Sequence, residues 1–285
     1  MKLSDIQIEP FVRSALLEDL GRGGDITSQA LILADKRWHA ALVAREAGVV
    51  AGLDLARLSF QVMDKAITWQ PLHEDGDRVQ AGDELAAIEG FAHAILGAER
   101  TALNFLSHLS GIASATHKLV EAVPPYKTKI CCTRKTTPLL RSLEKYAVRV
   151  GGGVNHRFGL DDAILIKDNH IAVCGGVVDA VRSARASIGH MTKIEVEVDT
   201  LDQLQLLLDQ EIDAVLLDNM TPEMMKEAVA MVDGRFVLEA SGKVSLDNIA
   251  AIAATGVDMI SVGWITHSAP ILDIGLDPQP IADPI

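Results

Sequence analysis

The spacing of hydrophobic positions changes near residue 115. Before it, a helical pattern runs from Ile8 to Leu20, with Pro10 fitted to its first turn and Gly21 to its C-terminal stop. A polar glycine-rich loop follows at Gly21-Arg22-Gly23-Gly24-Asp25. Trp38, Ala40, Leu42 and Ala44 recur at period two and predict a half-buried strand. Gly48 to Gly52 reads as a turn into a short helix over 53–63. Two more strands, 66–72 and 84–89, bracket Glu74-Asp75-Gly76-Asp77, which predicts an antiparallel sheet with helices on one face. Residues 92–123 carry helical spacing with a break at Gly111 and a buried stripe of Leu96, Leu103, Leu106 and Leu109.

From Lys127 onward short apolar strands alternate with helices. The strands fall at 127–132, 163–167, 193–198, 213–217, 235–239 and 258–262, and the helices at 139–149, 176–187, 201–210, 222–232 and 246–254. Repeated units of this kind predict a parallel sheet buried on both faces. A doubly wound sheet and an incomplete barrel both fit the alternation. The strand ends favour the barrel, because each finishes in polar or glycine residues and a barrel gathers all such ends at one mouth. These ends are Thr133-Arg134-Lys135, Lys167-Asp168-Asn169-His170, Glu197-Val198-Asp199, Asp218-Asn219, Ser241-Gly242-Lys243 and Gly263. The expected architecture is an α/β sandwich over 1–114, joined by 270–285, and a six-stranded incomplete barrel over 115–269.

Composition narrows the function. The 285 residues carry 39 acids against 26 Lys and Arg, a net charge of −13, and are 48% hydrophobic. That excludes a disordered chain and argues against nucleic-acid binding or an anionic membrane surface. No apolar run spans a bilayer, and Met1 to Phe11 lacks a signal-peptide stretch. Three cysteines form no disulfide framework and fit a reducing cytoplasm. Residues 127–170 reverse the sign: nine bases against four acids give +5, leaving −18 elsewhere. A basic patch on an acidic protein suits a small anion; on charge alone a solvated basic surface is the simpler reading.

Arg134 can hold a carboxylate or phosphate through two parallel bonds, with Lys135 adding charge and a helix N-terminus expected at Pro138. Gly151-Gly152-Gly153 before Asn155-His156-Arg157 is either a ligand-approaching loop or a tight turn, and it is not a P-loop. Lys167, at an apolar strand end, reads as a buried lysine for Schiff-base chemistry, an anion partner or one half of an ion pair with Glu197. Glu197 and Asp218 suit Mg²⁺ or sugar hydroxyls, and Glu195 shares a strand face with Glu197, so spacing does not choose between them. Ser241-Gly242-Lys243 and Gly263 can offer backbone amides to a phosphate. Arg100, Asn104, Ser107 and Gly111 form a polar helical stripe read as a solvated face, and Cys131 and Cys132 belong to a buried strand with nothing marking a reactive thiolate.

Seven ordered segments together resemble the quinolinate phosphoribosyltransferase family: Glu99 to Asn104, Thr133 to Pro138, Gly151 to Arg157, Lys167 to His170, Glu195 to Val198, Leu217 to Asn219 and Glu239 to Gly242, with Gly24-Asp25-Ile26-Thr27 near the start. The resemblance implies a homodimer with shared sites, Arg100 reaching the partner's site. It implies that Arg134, His156, Arg157 and Lys167 surround the quinolinate carboxylates. Thr133 binds substrate, Lys135 lies near phosphoribosyl pyrophosphate, Glu197 and Asp218 face its ribose and Mg²⁺, and Ser241, Gly242, Lys243 and Gly263 match the 5-phosphate loops. Lys135, Lys167, Glu197 and Asp218 are the implied catalytic group. Lys243 departs from the family's usual glycine, so a positive φ there would strain it. The implied activity is phosphoribosyl transfer to quinolinate with decarboxylation, in the cytoplasm. A molybdate-operon pyrophosphorylase, a Schiff-base lyase and a non-catalytic phosphate-ligand binder are the alternatives.

Overall fold

The computed structural model describes residues 3–279; Met1, Lys2 and residues 280–285 of the predicted C-terminal join lie outside them. Two compact units divide the chain: residues 1–115 with 269–285, and residues 116–268.

The first unit opens with α1 (Asp5–Leu20). Ser4 caps it in a box with Gln7, so the helix begins a turn earlier than the proline suggests, and Pro10 lies inside it. The glycine loop leads into a helix the hydrophobic pattern does not show, α2 (Ile26–Leu31), capped by the Asp25 carboxylate on the Thr27 and Ser28 amides. Then come β1 (Arg37–Ala44), β2 (Gly48–Val49), α3 (Leu53–Met63), β3 (Thr68–Pro71), β4 (Arg78–Val79) and β5 (Glu84–Phe91). The predicted turn at Gly48 is a strand, since β2 pairs with β4 in its own small antiparallel sheet.

The helix α4 (Ala92–Glu121) runs unbroken through Gly111. A Cβ on Gly111 would stand 2.1 Å from the Pro270 carbonyl oxygen, so this glycine marks a close backbone crossing. Leu103, Leu106 and Leu109 are buried as expected. Of the polar stripe only Arg100 and Asn104 are exposed, while Ser107 and Gly111 are buried. Ser110 and Ser114 from the same helix hold the Ala51 and Val49 amides at 2.9 and 2.8 Å.

The second unit contains β6 (Lys129–Cys131), α5 (Arg141–Val150), β7 (Ile164–Ile166), α6 (Asp168–Cys174), α7 (Val177–Ser187), β8 (Ile194–Val198), α8 (Leu201–Leu207), β9 (Ala214–Asp218), α9 (Pro222–Val232), β10 (Val237–Ser241), α10 (Ile249–Ala253), β11 (Met259–Ser261) and α11 (Trp264–His267). Its six parallel strands run β6-β11-β10-β9-β8-β7. That is chain order taken round a circle, with β6 and β7 unpaired at the seam. A doubly wound sheet would reverse direction at a switch point, so the incomplete barrel is the correct alternative. The chain then returns to the first unit, where β12 (Ile274–Pro278) completes the antiparallel sheet β12-β1-β5-β3. No helix among the described residues is long and apolar enough to cross a membrane.

Candidate active site

Alternation along the barrel strands sorts core from lumen. On β8, Ile194, Val196 and Val198 are buried, while Glu195 and Glu197 take the opposite face. In register, Glu197 stands beside Leu216 and Leu216 beside Glu239, forming one row of the lumen; Asp218 and Ser241 pair in the next row toward the strand C-termini. The loops above these rows enclose a cavity of about 690 Å³.

Twelve barrel residues marked by the sequence line this cavity: Thr133, Arg134, Lys135, His156, Arg157, Lys167, Glu197, Asp218, Ser241, Gly242, Lys243 and Gly263; Glu195 does not. Arg100 is exposed on α4 in the other unit. Glu239, Ser261, Trp264 and His267 also line the cavity and were not singled out individually. The signal for Glu239 was its period-two relation to Ser241.

Short local contacts fix the loops. The Lys135 amide donates to Thr133 Oγ1 at 3.0 Å, and Thr266 Oγ1 donates to the Lys135 carbonyl at 2.7 Å. The helix expected at Pro138 begins only at Arg141, because residues 138–140 form a turn with Leu139 at φ 69°. Buried Glu144 accepts the Thr137 amide instead, so no helix N-terminus serves an anion at Pro138. The triple glycine does not line the cavity; it is a tight turn that brings Val154 back to pair with Cys131. Arg141 then ties Thr136 Oγ1 and the Phe158 carbonyl, holding the two basic loops together.

Lys167 precedes α6, a short helix that the apolar pattern does not reveal. Its side chain is 47% exposed and its ammonium lies 3.0 Å from Glu197 Oε2. It is a placed charge rather than the buried amine that Schiff-base chemistry requires. The two β8 acids differ in their contacts. Glu197 pairs with Lys167 in the cavity wall, whereas Glu195 Oε2 meets His156 Nε2 at 2.8 Å.

His156, Glu195 and Glu239 bring their ligand-type atoms within 4.8 Å of one another, the only such His/Cys/Asp/Glu group among the described residues. The Arg157 amide donates to His156 Nδ1 at 2.7 Å, which favours a neutral ring with its proton on Nε2. Burial also opposes the charged ring, but the bond to Glu195 and the charges of Glu239 and Glu195 raise the His156 pKa overall. Burial and the adjacent Arg134 charge pull the Arg157 guanidinium below its ordinary value. The Nε atoms of Arg134 and Arg157 are buried without a hydrogen-bond partner, as is Glu239 Oε1.

The buried lysine of this site is Lys145 on α5. Its ammonium sits 3.0 Å from Cys132 Sγ and 2.8 Å from the His156 carbonyl, and 5.1 Å from the Phe158 ring centroid. This corrects the expectation that nothing marks a thiolate beside the paired cysteines. A hydrogen bond from Cys131 and the Lys145 charge hold the Cys132 thiol down to about 6 against the burial that opposes it. The same hydrogen bond, together with burial, pushes the Cys131 thiol up, against the Lys145 charge.

The phosphate-type loops are tightly shaped. Gly242 has φ 108°, and a Cβ there would stand 2.2 Å from Asn219 Oδ1. Lys243 takes φ 44°, a left-handed conformation that its side chain disfavours. Asn248 Nδ2 donates to the Lys243 carbonyl at 3.0 Å, and Trp264 Nε1 to the Val244 carbonyl at 3.1 Å, which secures this turn. Asn219 Nδ2 donates to Asp218 Oδ2 at 2.7 Å.

Comparison with known proteins identifies the scaffold. The quinolinate phosphoribosyl transferase N-terminal domain matches residues 25–110, and the C-terminal domain of the same family matches residues 112–277. The chain belongs to the quinolinate phosphoribosyltransferase family. A nicotinate-nucleotide pyrophosphorylase [carboxylating] of Mycobacterium leprae is 49% identical over 271 residues, covering 93% of this chain and 95% of that one. A probable enzyme of the same name from Bacillus subtilis is 41% identical, covering 96% and 94%. The crystal structure of NadC from Streptococcus pyogenes superposes with a TM-score of 0.94 at 41% identity, covering 98% of this chain and 100% of that one. The α/β sandwich and incomplete barrel are thus this family's fold.

Proposed function

We propose that the protein transfers phosphoribosyl from phosphoribosyl pyrophosphate to quinolinate and releases CO₂, forming nicotinate mononucleotide and pyrophosphate for NAD biosynthesis. The observation that carries this reading is that anion-binding bases and sugar-suited acids line one cavity. Bases cluster around Arg134, His156, Arg157 and Lys167, while acids stand on β8 and β9 at Glu197 and Asp218. An anion between Arg134 and Arg157 would satisfy two buried, unpartnered Nε donors and relieve the repulsion between the guanidinium groups. Quinolinate, a dicarboxylate, fits that demand.

The ring nitrogen attacks the anomeric carbon as pyrophosphate leaves, and the ribose develops oxocarbenium character. Glu197 and Asp218 face the sugar and stabilise that charge. Thr133, Lys135, Ser241, Gly242, Lys243 and Gly263 receive the phosphates. Rate enhancement here is placement and electrostatics, so no nucleophilic side chain is required.

Mg²⁺ enters this reading with the pyrophosphate. Glu197 and Asp218 are hard oxygen donors in the same cavity wall, and a magnesium ion typically takes one or two carboxylates alongside phosphate oxygens and water. When bound, it neutralises charge on the leaving group.

The active unit in this reading is a homodimer in which Arg100 completes the partner's site. Ile6, Leu17, Ile26, Leu31 and Leu33 are more than two-thirds exposed on the first unit, apolar surface of the kind that association buries. Three cysteines without a disulfide among them fit a cytoplasmic setting. The deciding assay mixes protein, both substrates and Mg²⁺, with nicotinate as a competing acceptor. Nicotinate mononucleotide with stoichiometric CO₂ from quinolinate is the expected result, and its absence refutes the reading.

A further inference from the structure

Four carboxyl groups face the lumen or support it, and three have a side-chain nitrogen within 3.0 Å. Glu195 meets His156 at 2.8 Å, Glu197 meets Lys167 at 3.0 Å, and Asp218 accepts the Asn219 amide at 2.7 Å. Glu239 differs. It is 4% exposed, its Oε1 has no hydrogen-bond partner, and the nearest base, His156 Nε2, is 3.9 Å away. Register places it one row deeper than Ser241 and Asp218, on the wall of the same cavity.

The other buried, unpartnered atoms lining this cavity are the Nε donors of Arg134 and Arg157, suited to a carboxylate ligand. A second buried carboxylate aimed at such a ligand would repel it. A carboxylic acid would instead donate a hydrogen bond to it. The geometry therefore points to a proton on Glu239 when substrate is bound.

The reaction proposed above, on which this inference rests, needs one proton. Loss of CO₂ breaks the bond between ring C2 and its carboxylate carbon. The electron pair stays on C2, stabilised by the adjacent cationic nitrogen, and must be captured by a proton to give the product C–H. We propose that Glu239 is the general acid that delivers this proton to C2. The O–H bond of Glu239 breaks, its electrons remain on the carboxylate, and water restores the proton before the next turnover. One proton is consumed per cycle, and no oxidant or reductant takes part.

The surrounding groups support this role. Burial and then the Glu195 charge push the Glu239 carboxyl up to about 7, with Cys132 adding to the rise. His156 and a hydrogen bond from Ser261 oppose it, and Cys131 also feels the Glu239 charge. An acid poised near neutrality holds a proton and still releases it readily.

Rapid-quench measurements with quinolinate, phosphoribosyl pyrophosphate and Mg²⁺ can separate pyrophosphate release from nicotinate mononucleotide formation between pH 6 and 8.5. In the wild type, the second step should decline as pH rises through about 7 while the first does not. Glu239→Gln should slow nicotinate mononucleotide formation roughly 100-fold more than pyrophosphate release. It should accumulate N-ribosylated quinolinate and lose the alkaline decline. Glu239→Asp should keep that decline and part of the rate. Equal loss of both steps in Glu239→Gln, or wild-type product formation by it, overturns the proposal. So does an identical pH dependence of the two steps in the wild type, a comparison that decides the matter even if the variants do not fold. A wild type that releases no pyrophosphate from this substrate pair instead refutes the quinolinate reading itself.

Discussion

The Lys145 ammonium lies 3.0 Å from the Cys132 sulfur, and both side chains are fully buried. A lysine so placed needs a counter-charge, and the depressed Cys132 thiol supplies one. Lys145 also donates to the carbonyl of His156, so the pair holds a residue of the cavity wall from behind. Lys145→Met should cost about 3 kcal/mol in urea unfolding, the scale for breaking a buried pair. Thiolate absorbance in the folded wild type should titrate near 6 and move upward in the variant. Because the folded-state value is depressed, the stability it contributes is present above the unfolded thiol's pKa. It is lost as pH falls through about 6.

Lys243 at φ 44° carries strain where a glycine would carry none. Lys243→Gly relieves about 1–2 kcal/mol of left-handed strain and gives back up to about 1 through the looser unfolded chain. A net gain of about 0.5 kcal/mol should appear as a small rise in Tm. The KM for phosphoribosyl pyrophosphate should rise at the same time through loss of the ammonium. A fall in both Tm and KM would contradict this assignment.

Gly111 leaves no room for a side chain beside the Pro270 carbonyl. Gly111→Ala should destabilise the protein by about 1–3 kcal/mol, the cost of overpacking, despite alanine's better helix propensity. Thermal unfolding of the pair measures the sign directly.

Arg100 is exposed on α4, so Arg100→Ala should leave Tm unchanged while abolishing turnover. Mixed with inactive Lys167→Ala under conditions of proven subunit exchange, it should recover activity through hybrid dimers. No recovery would refute a site shared between protomers.

The barrel strands were legible because most are short apolar runs that close on polar residues, and Ala214–Asp218 shows both features in five positions. The helices α2, α6 and α11 were not legible, being at most seven residues long with ends set by caps and turns rather than by an apolar stripe. Site residues at strand ends were visible for the same reason as the strands. Glu239 was hidden because its meaning depends on His156, 83 positions earlier, and on what Glu195 does not leave free. Lys145 looked like one base among nine; only the turn through Gly151–Gly153 folds Cys132 and His156 onto it. Lys167 was misjudged as buried because an apolar strand says nothing about the exposure of the residue that follows it.

The antiparallel sheet places β12 beside β1, although some 230 residues of chain separate them. Arg45 and Asp277 clasp the same junction with an ion pair. A nascent polypeptide emerging from the ribosome has therefore made its entire barrel before it can finish its first sheet. Until then β1 presents an unpaired hydrogen-bonding edge to its surroundings, a template on which another chain can pair.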